Sequence, residues 1–219
     1  MATHRKRKRR RRGGRGILAG FFALVLLLSL GALTVKLFAG RNLPAAGVEV
    51  PGYVARDMIP VNRYSRPGTE LKKINGVVIH YVGNPGSSAK ANRDYFANLS
   101  LTGDTYASAH FVVGLEGEVI QCVPMTEVAY CSNDRNRDTI SIEVCHADAT
   151  GEFSPETMES LVELTAWLAD TFSLQREDII RHYDVTGKIC PKFYVEHEDA
   201  WEALLDRVEE ARNILPDAP

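Results

Sequence analysis

Val77-Val78-Ile79-His80-Tyr81-Val82 (VVIHYV) is a near-continuous apolar run of strand length, and it suits a strand covered on both faces. A second stretch, Thr139-Ile140-Ser141-Ile142-Glu143-Val144-Cys145, alternates instead. Ile140, Ile142 and Val144 fall on one face, and Ser141, Glu143 and Cys145 on the other. Between them, Ala109–Val113 and Glu118–Val123 flank Gly114-Leu115-Glu116-Gly117, the signature of a hairpin. Ile179–Arg181 reads as a short strand leading into a loop that carries His182.

Helical segments separate these strands. Ala89–Leu99 predicts a helix with Tyr95, Phe96 and Leu99 on one side. Ser154 before Pro155 is the clearest helix start, with Ser as N-cap and Pro at the first helical position. That helix is expected to run to about Phe172 and to bury Leu161, Leu164, Trp167 and Leu168. A last amphipathic helix over about Glu198–Ile214 presents Trp201, Leu204, Leu205 and Val208. Strands and helices in this rhythm indicate an α/β domain with a mixed central sheet flanked by helices.

The chain has 219 residues and a net charge of −2, which hides an asymmetry. Residues 1–15 hold nine Lys/Arg and no acid, whereas from Pro44 onward 15 Lys/Arg face 28 Asp/Glu, a balance of −13. An acidic body argues against a nucleic-acid partner, since phosphate neutralisation needs clustered cations. The basic tail is followed by Ile17–Val35, 19 residues without a charge. As a helix it would span roughly 28 Å, close to a hydrocarbon core of ~30 Å. The resulting expectation is a cytoplasmic tail (1–16), a single-pass membrane anchor (17–37), a Gly/Pro/Ala-rich linker (38–52) and an extracytoplasmic domain (53–219). The alternative is secretion after signal cleavage, although Leu37-Phe38-Ala39 places a bulky residue where a small one is wanted. The four cysteines, Cys122, Cys131, Cys145 and Cys190, form no CxxC pair; a Cys122–Cys131 bridge is conceivable in an exported domain.

Three residues suit a metal. Imidazole from His80 and His182 with thiolate from Cys190 makes a zinc-type donor set, and three ligands leave one position open for catalysis. Spacing alone also fits core histidines and a small buried thiol. Glu143 belongs either to a solvent face or to a site, where a carboxylate can move protons. Lys188 is either a surface lysine or, beside a metal, a partner for a developing oxyanion.

The residues from about Gly76 to Ala211 resemble the zinc-dependent N-acetylmuramoyl-L-alanine amidases (amidase type 2), related to phage lysins and peptidoglycan recognition proteins. The resemblance rests on Val77–Tyr81, Ser108–Phe111, Ile140–Val144 and above all Arg181-His182-Tyr183-Asp184-Val185-Thr186-Gly187-Lys188-Ile189-Cys190-Pro191. It implies Zn2+ on His80, His182 and Cys190, with Glu143 as general base then acid and Lys188 at the oxyanion. The implied reaction cuts the amide between N-acetylmuramic acid and L-alanine in peptidoglycan. It also leaves open a non-catalytic binder of the same fold and a peptidase acting within the stem. Asn84 in Gly83-Asn84-Pro85-Gly86, with Asn92 and Asn133, forms a candidate lip for the stem peptide, the other reading being an ordinary turn. Two departures stand out: Ala109 occupies the place of a catalytic tyrosine in the phage branch, and Cys131 stands where a site-lining histidine is common. His110 is expected to pack or support rather than ligate.

Overall fold

The computed structural model describes residues 45–214. The anchor expected over 17–37 lies outside them; among the described residues no helix is long and apolar enough to cross a membrane. Six strands of the described residues form one sheet: β1 (Val54–Arg56), β2 (Val77–Tyr81), β3 (Phe111–Val113), β4 (Val119–Gln121), β5 (Ile140–Val144) and β6 (Ile179–Arg181). Their order is β1-β4-β3-β5-β2-β6. Only the β3–β4 hairpin is antiparallel; the other four pairings are parallel, so the sheet is mixed.

Parallel pairing requires crossovers that cover both faces, which is why the central strands are almost wholly apolar. One face carries Val77, Ile79, Phe111, Val113, Ile140, Ile142 and Val144. It is covered by α2 (Pro155–Thr171) and by α5 (Glu198–Ile214), which packs Trp201, Leu204, Leu205 and Val208 into the same core. α2 begins as its sequence requires, with Ser154 Oγ accepting from Thr157 N and Pro155 in the first turn. The opposite face receives α1 (Ala89–Thr102) through Ala89 and Phe96, against Val112, Ile120 and Cys145.

Several expectations are corrected in detail. α1 runs three residues beyond Leu99, to a left-handed Gly103 (φ 65°) whose N–H returns to Leu99 O. A Cβ at Gly103 would also meet the Tyr64 ring at 3.0 Å, so both conformation and space call for glycine. Tyr95 faces solvent rather than joining Phe96 and Leu99 inside, because it lies about 100° from Phe96 around the helix. The end of the expected linker is part of the packed domain: Ala45 is buried, and Val48 and Val50 lie on the core. His182 opens a helical turn, α3 (His182–Thr186), instead of sitting in a loop; α4 (Lys192–Glu196) follows it. All four cysteines are free thiols, so the Cys122–Cys131 bridge is not formed. Cys122 is buried beside β4, while Cys131 turns toward Glu143.

Candidate metal centre

His80 lies in the middle of β2, and its cross-strand neighbour on β5 is Glu143. Period-2 alternation sends Val77 and Ile79 to one core and places His80 on the other face, level with Glu143. His182 arrives from the next strand over, as the first residue of α3. Arg181 fixes this junction. It is buried, bonds both carboxylate oxygens of Asp184, reaches Glu198 Oε2 at 2.6 Å and Tyr194 O at 2.9 Å, and lies over the Trp201 ring. Cys190 is drawn back toward the same place because its carbonyl accepts from Tyr183 N at 2.9 Å.

The three donors converge. His80 Nδ1 is 3.1 Å from His182 Nδ1, Cys190 Sγ is 3.9 Å from His80 Nδ1, and all three side chains are buried. Two ligands about 2.05 Å from a tetrahedral zinc are separated by roughly 3.3 Å, and a nitrogen–sulfur pair by roughly 3.6 Å. The observed spacings fit within a few tenths of an ångström. The outer nitrogens fit as well: His182 Nε2 is 2.9 Å from Asn133 Oδ1 and His80 Nε2 is 3.0 Å from Ser132 Oγ. An imidazole that donates Nε2–H to such a partner presents the bare Nδ1 lone pair inward. The donor chemistry therefore suits zinc at this position.

Electrostatics point the same way. Burial, then the neighbouring His182 and Lys188, hold His80 well below the ordinary imidazole range, and burial followed by Lys188 lowers His182. Both rings are thus kept neutral, the ligand form. Burial pushes the Cys190 thiol up to about 12, with the Glu143 charge adding to the effect. A cation at this position would reverse that rise, as a coordinated thiol is deprotonated.

Glu143 is on the covered face and not the solvent face. The residue as a whole is partly exposed, yet its Oε2 is buried without a hydrogen-bond partner among the described residues, and Oε1 accepts from Cys131 Sγ at 3.4 Å. Burial raises its carboxyl to about 7, against smaller pulls downward from the Cys131 hydrogen bond and the Lys188 charge. Lys188 is exposed on the stretch between α3 and Cys190, and its charge acts on His80, Cys131, Glu143, His182 and Cys190 alike.

Of the expected lip residues, Asn84 is exposed on the turn after β2. Asn92 is buried, with its amide donated to Ser87 Oγ and Ser88 O, and Asn133 lies on His182 itself. His110 is buried between Ser141 and the Glu127 carbonyl, outside the cluster. Ser132 carries no motif signal in the sequence beyond being a small polar residue between Cys131 and Asn133. A separate cleft of about 570 Å³, lined by Phe153, Tyr194, Leu204 and Arg207 among others, includes none of these groups.

Known proteins resemble this chain in sequence and in fold. Residues 70–193 match the family described as N-acetylmuramoyl-L-alanine amidase. The chain is 37% identical over 169 residues to the N-acetylmuramoyl-L-alanine amidase CwlL of Bacillus licheniformis, covering 71% of this chain and 46% of CwlL. It is 35% identical over 172 residues to BlyA of Bacillus subtilis (strain 168), covering 69% of this chain and 45% of BlyA. The chain thus spans about half the length of these relatives. Among solved structures, the catalytic domain of XlyA superposes with a TM-score of 0.59 at 26% identity, over 71% of this chain and 98% of that one. The PlyG catalytic domain shares the fold, with a TM-score of 0.61 at 21% identity over 76% and 98% of the two chains. On the family match, which takes in more than half its residues, the chain belongs to the N-acetylmuramoyl-L-alanine amidase family.

Proposed function

We propose that this chain is a zinc-dependent amidase that hydrolyses the bond between the lactyl group of N-acetylmuramic acid and the first L-alanine of the peptidoglycan stem. The observation that carries this reading is the convergence of His80 Nδ1, His182 Nδ1 and Cys190 Sγ beside a buried, half-satisfied carboxylate. His80, His182 and Cys190 would hold the ion. Bound there, zinc supplies a Lewis acid that polarises the scissile carbonyl and eases deprotonation of water.

The remaining chemistry belongs to the chain. Glu143 Oε2, the oxygen without a partner, takes a proton from the attacking water. The water oxygen bonds to the carbonyl carbon, and Lys188 Nζ pairs with the carbonyl oxygen as it gains charge. Glu143 then returns its proton to the departing nitrogen, the carbon–nitrogen bond breaks, and the products are a lactyl carboxylate and a free alanine amine. Without a metal, burial holds this carboxyl at about 7; a cation on the three ligands would draw it down toward the charged form that accepts the proton. With Ala109 buried where a phenol would otherwise stand, Glu143 and Lys188 carry the polar chemistry.

Mass spectrometry of a muropeptide digest tests the reading. Disaccharide released together with intact stem peptide is the expected result. Cleavage within the stem would replace the amidase with a peptidase, and binding without cleavage would leave a recognition module. A membrane location is part of the same proposal, supported by the charge-free run Ile17–Val35. The full chain should sediment with membranes, and a chain lacking residues 1–47 should not.

A further inference from the structure

Three consecutive residues each touch a different member of the centre. Cys131 Sγ donates to Glu143 Oε1 at 3.4 Å, Ser132 Oγ meets His80 Nε2 at 3.0 Å, and Asn133 Oδ1 meets His182 Nε2 at 2.9 Å. Regular structure cannot do this. Successive side chains point to opposite faces of a strand and stand about 100° apart on a helix. Here the chain bends through Tyr130–Ser132 and enters a 3-10 turn (Asn133–Arg137) at Asn133, whose φ of 52° lies in the left-handed region that Asn tolerates better than most residues.

The segment is held on both sides. Upstream, Ser108 N donates to Tyr130 O and Tyr130 N to Ser108 Oγ, at 3.0 and 2.9 Å. Downstream, Asn136 Oδ1 accepts from both Cys131 N and Ser132 N. Asn136 hydrogen-bonds none of the five proposed site residues, yet it locks the backbone from which two of the three contacts spring.

We propose that Cys131-Ser132-Asn133 is the positioning segment of the centre, in which Ser132 and Asn133 set the tautomer and orientation of the two imidazoles and Cys131 orients the carboxylate. The Cys131 part rests on the reading of Glu143 as the base. With Oε1 tied to the thiol, the carboxylate plane is fixed and Oε2 is the oxygen left for chemistry. The three residues then have separable jobs: two serve the metal and one serves the base.

That division can be measured. Zinc affinity, read by competition with a chelator, should fall about 10- to 100-fold in Ser132→Ala and in Asn133→Gly, the usual range for losing an outer partner of a ligand. Glycine is chosen at 133 because it keeps the left-handed backbone. Cys131→Ala should leave zinc affinity unchanged while kcat falls about 3- to 10-fold at constant KM, the scale of one modest hydrogen bond. Cys131→Ser should restore most of that loss. Asn136→Ala should lower both readouts together, and Asn136→Asp, which keeps the acceptor, should recover them.

The infrared S–H stretch assigned by difference with Cys131→Ser should move to higher frequency in Glu143→Gln, since the charged acceptor is gone. Thermal unfolding of each metal-free variant confirms that it is folded. Equal zinc loss in all three variants, or none in Ser132→Ala and Asn133→Gly, overturns the proposal, as does an S–H band indifferent to Glu143→Gln. A wild-type chain that binds zinc but cleaves nothing would instead sink the amidase reading, leaving the affinity and infrared results to decide on the positioning segment.

Discussion

Replacing Glu143 by Gln should remove activity and make the metal-free protein more stable. The side chain keeps its shape and keeps Oε1 as an acceptor for the Cys131 thiol, so the surroundings have no reason to shift. What disappears is a buried charge. Burial moves this carboxyl from 4.5 to about 7, so the folded state holds the proton more tightly than the unfolded chain does. Its stabilising effect is therefore complete below pH 4.5 and is lost as pH rises through 7. The difference corresponds to about 3 kcal/mol at pH 8. Denaturant melts of metal-free wild type and Glu143→Gln from pH 4 to 8 should coincide at the acid end and diverge upward, the variant gaining up to that amount. In the same preparations reloaded with zinc, kcat should fall about 100- to 10,000-fold, or about 3–5 kcal/mol of barrier, with zinc content unchanged. A variant that is no more stable at pH 8 than at pH 4 would refute the buried-charge argument; one that remains active would remove Glu143 as the base.

Lys188→Ala should lower kcat about 100- to 1,000-fold while leaving metal content intact, as measured by turnover and metal analysis of one sample. Chelation should abolish turnover, and zinc at a thousandfold above its Kd should stabilise the refolded domain by about 4 kcal/mol in calorimetry, an increment that Cys190→Ser should largely lose. His110 is depressed from 6.5 to about 4, chiefly by burial. Its folded state resists protonation, so wild type should lose about 3 kcal/mol through this residue as pH falls from 6.5 toward 4, and His110→Gln should show a flatter slope in pH-dependent melts.

The elements most visible in the sequence were those with local causes. Ser154-Pro155 announces α2 because capping is a matter of four residues, and Gly114–Gly117 announces the hairpin for the same reason. Alternation over Ile140–Val144 separated Glu143 from the apolar face correctly. It could not show that the other face is itself covered, since that depends on α1 and on the turn after Tyr130 arriving from elsewhere in the chain. The strand order β1-β4-β3-β5-β2-β6 was illegible for the same reason: it pairs segments up to about a hundred residues apart. Among the candidate site residues, His80, His182 and Cys190 were marked by the resemblance of the His182–Cys190 stretch. The roles of Ser132 and Asn133 were hidden because they depend on one left-handed residue, and no periodic pattern signals such a turn.

The pairing of His80 with Glu143 across β2 and β5 has a consequence for how the protein can go wrong. Their separation is governed by the spacing between adjacent strands, about 4.8 Å, and not by any loop. Insertions in the connections between these strands can lengthen the path without altering that gap. A register slip of one residue, by contrast, would send one of the two to the α2 side and bring a chain neighbour, Ile79 or Tyr81 for His80 and Ile142 or Val144 for Glu143, into its place. There is no halfway arrangement in which His80 and Glu143 drift gradually apart. Specific activity per bound zinc should therefore read out the fraction of molecules whose central sheet is correctly assembled, with misassembled copies contributing nothing rather than a slower version of the reaction.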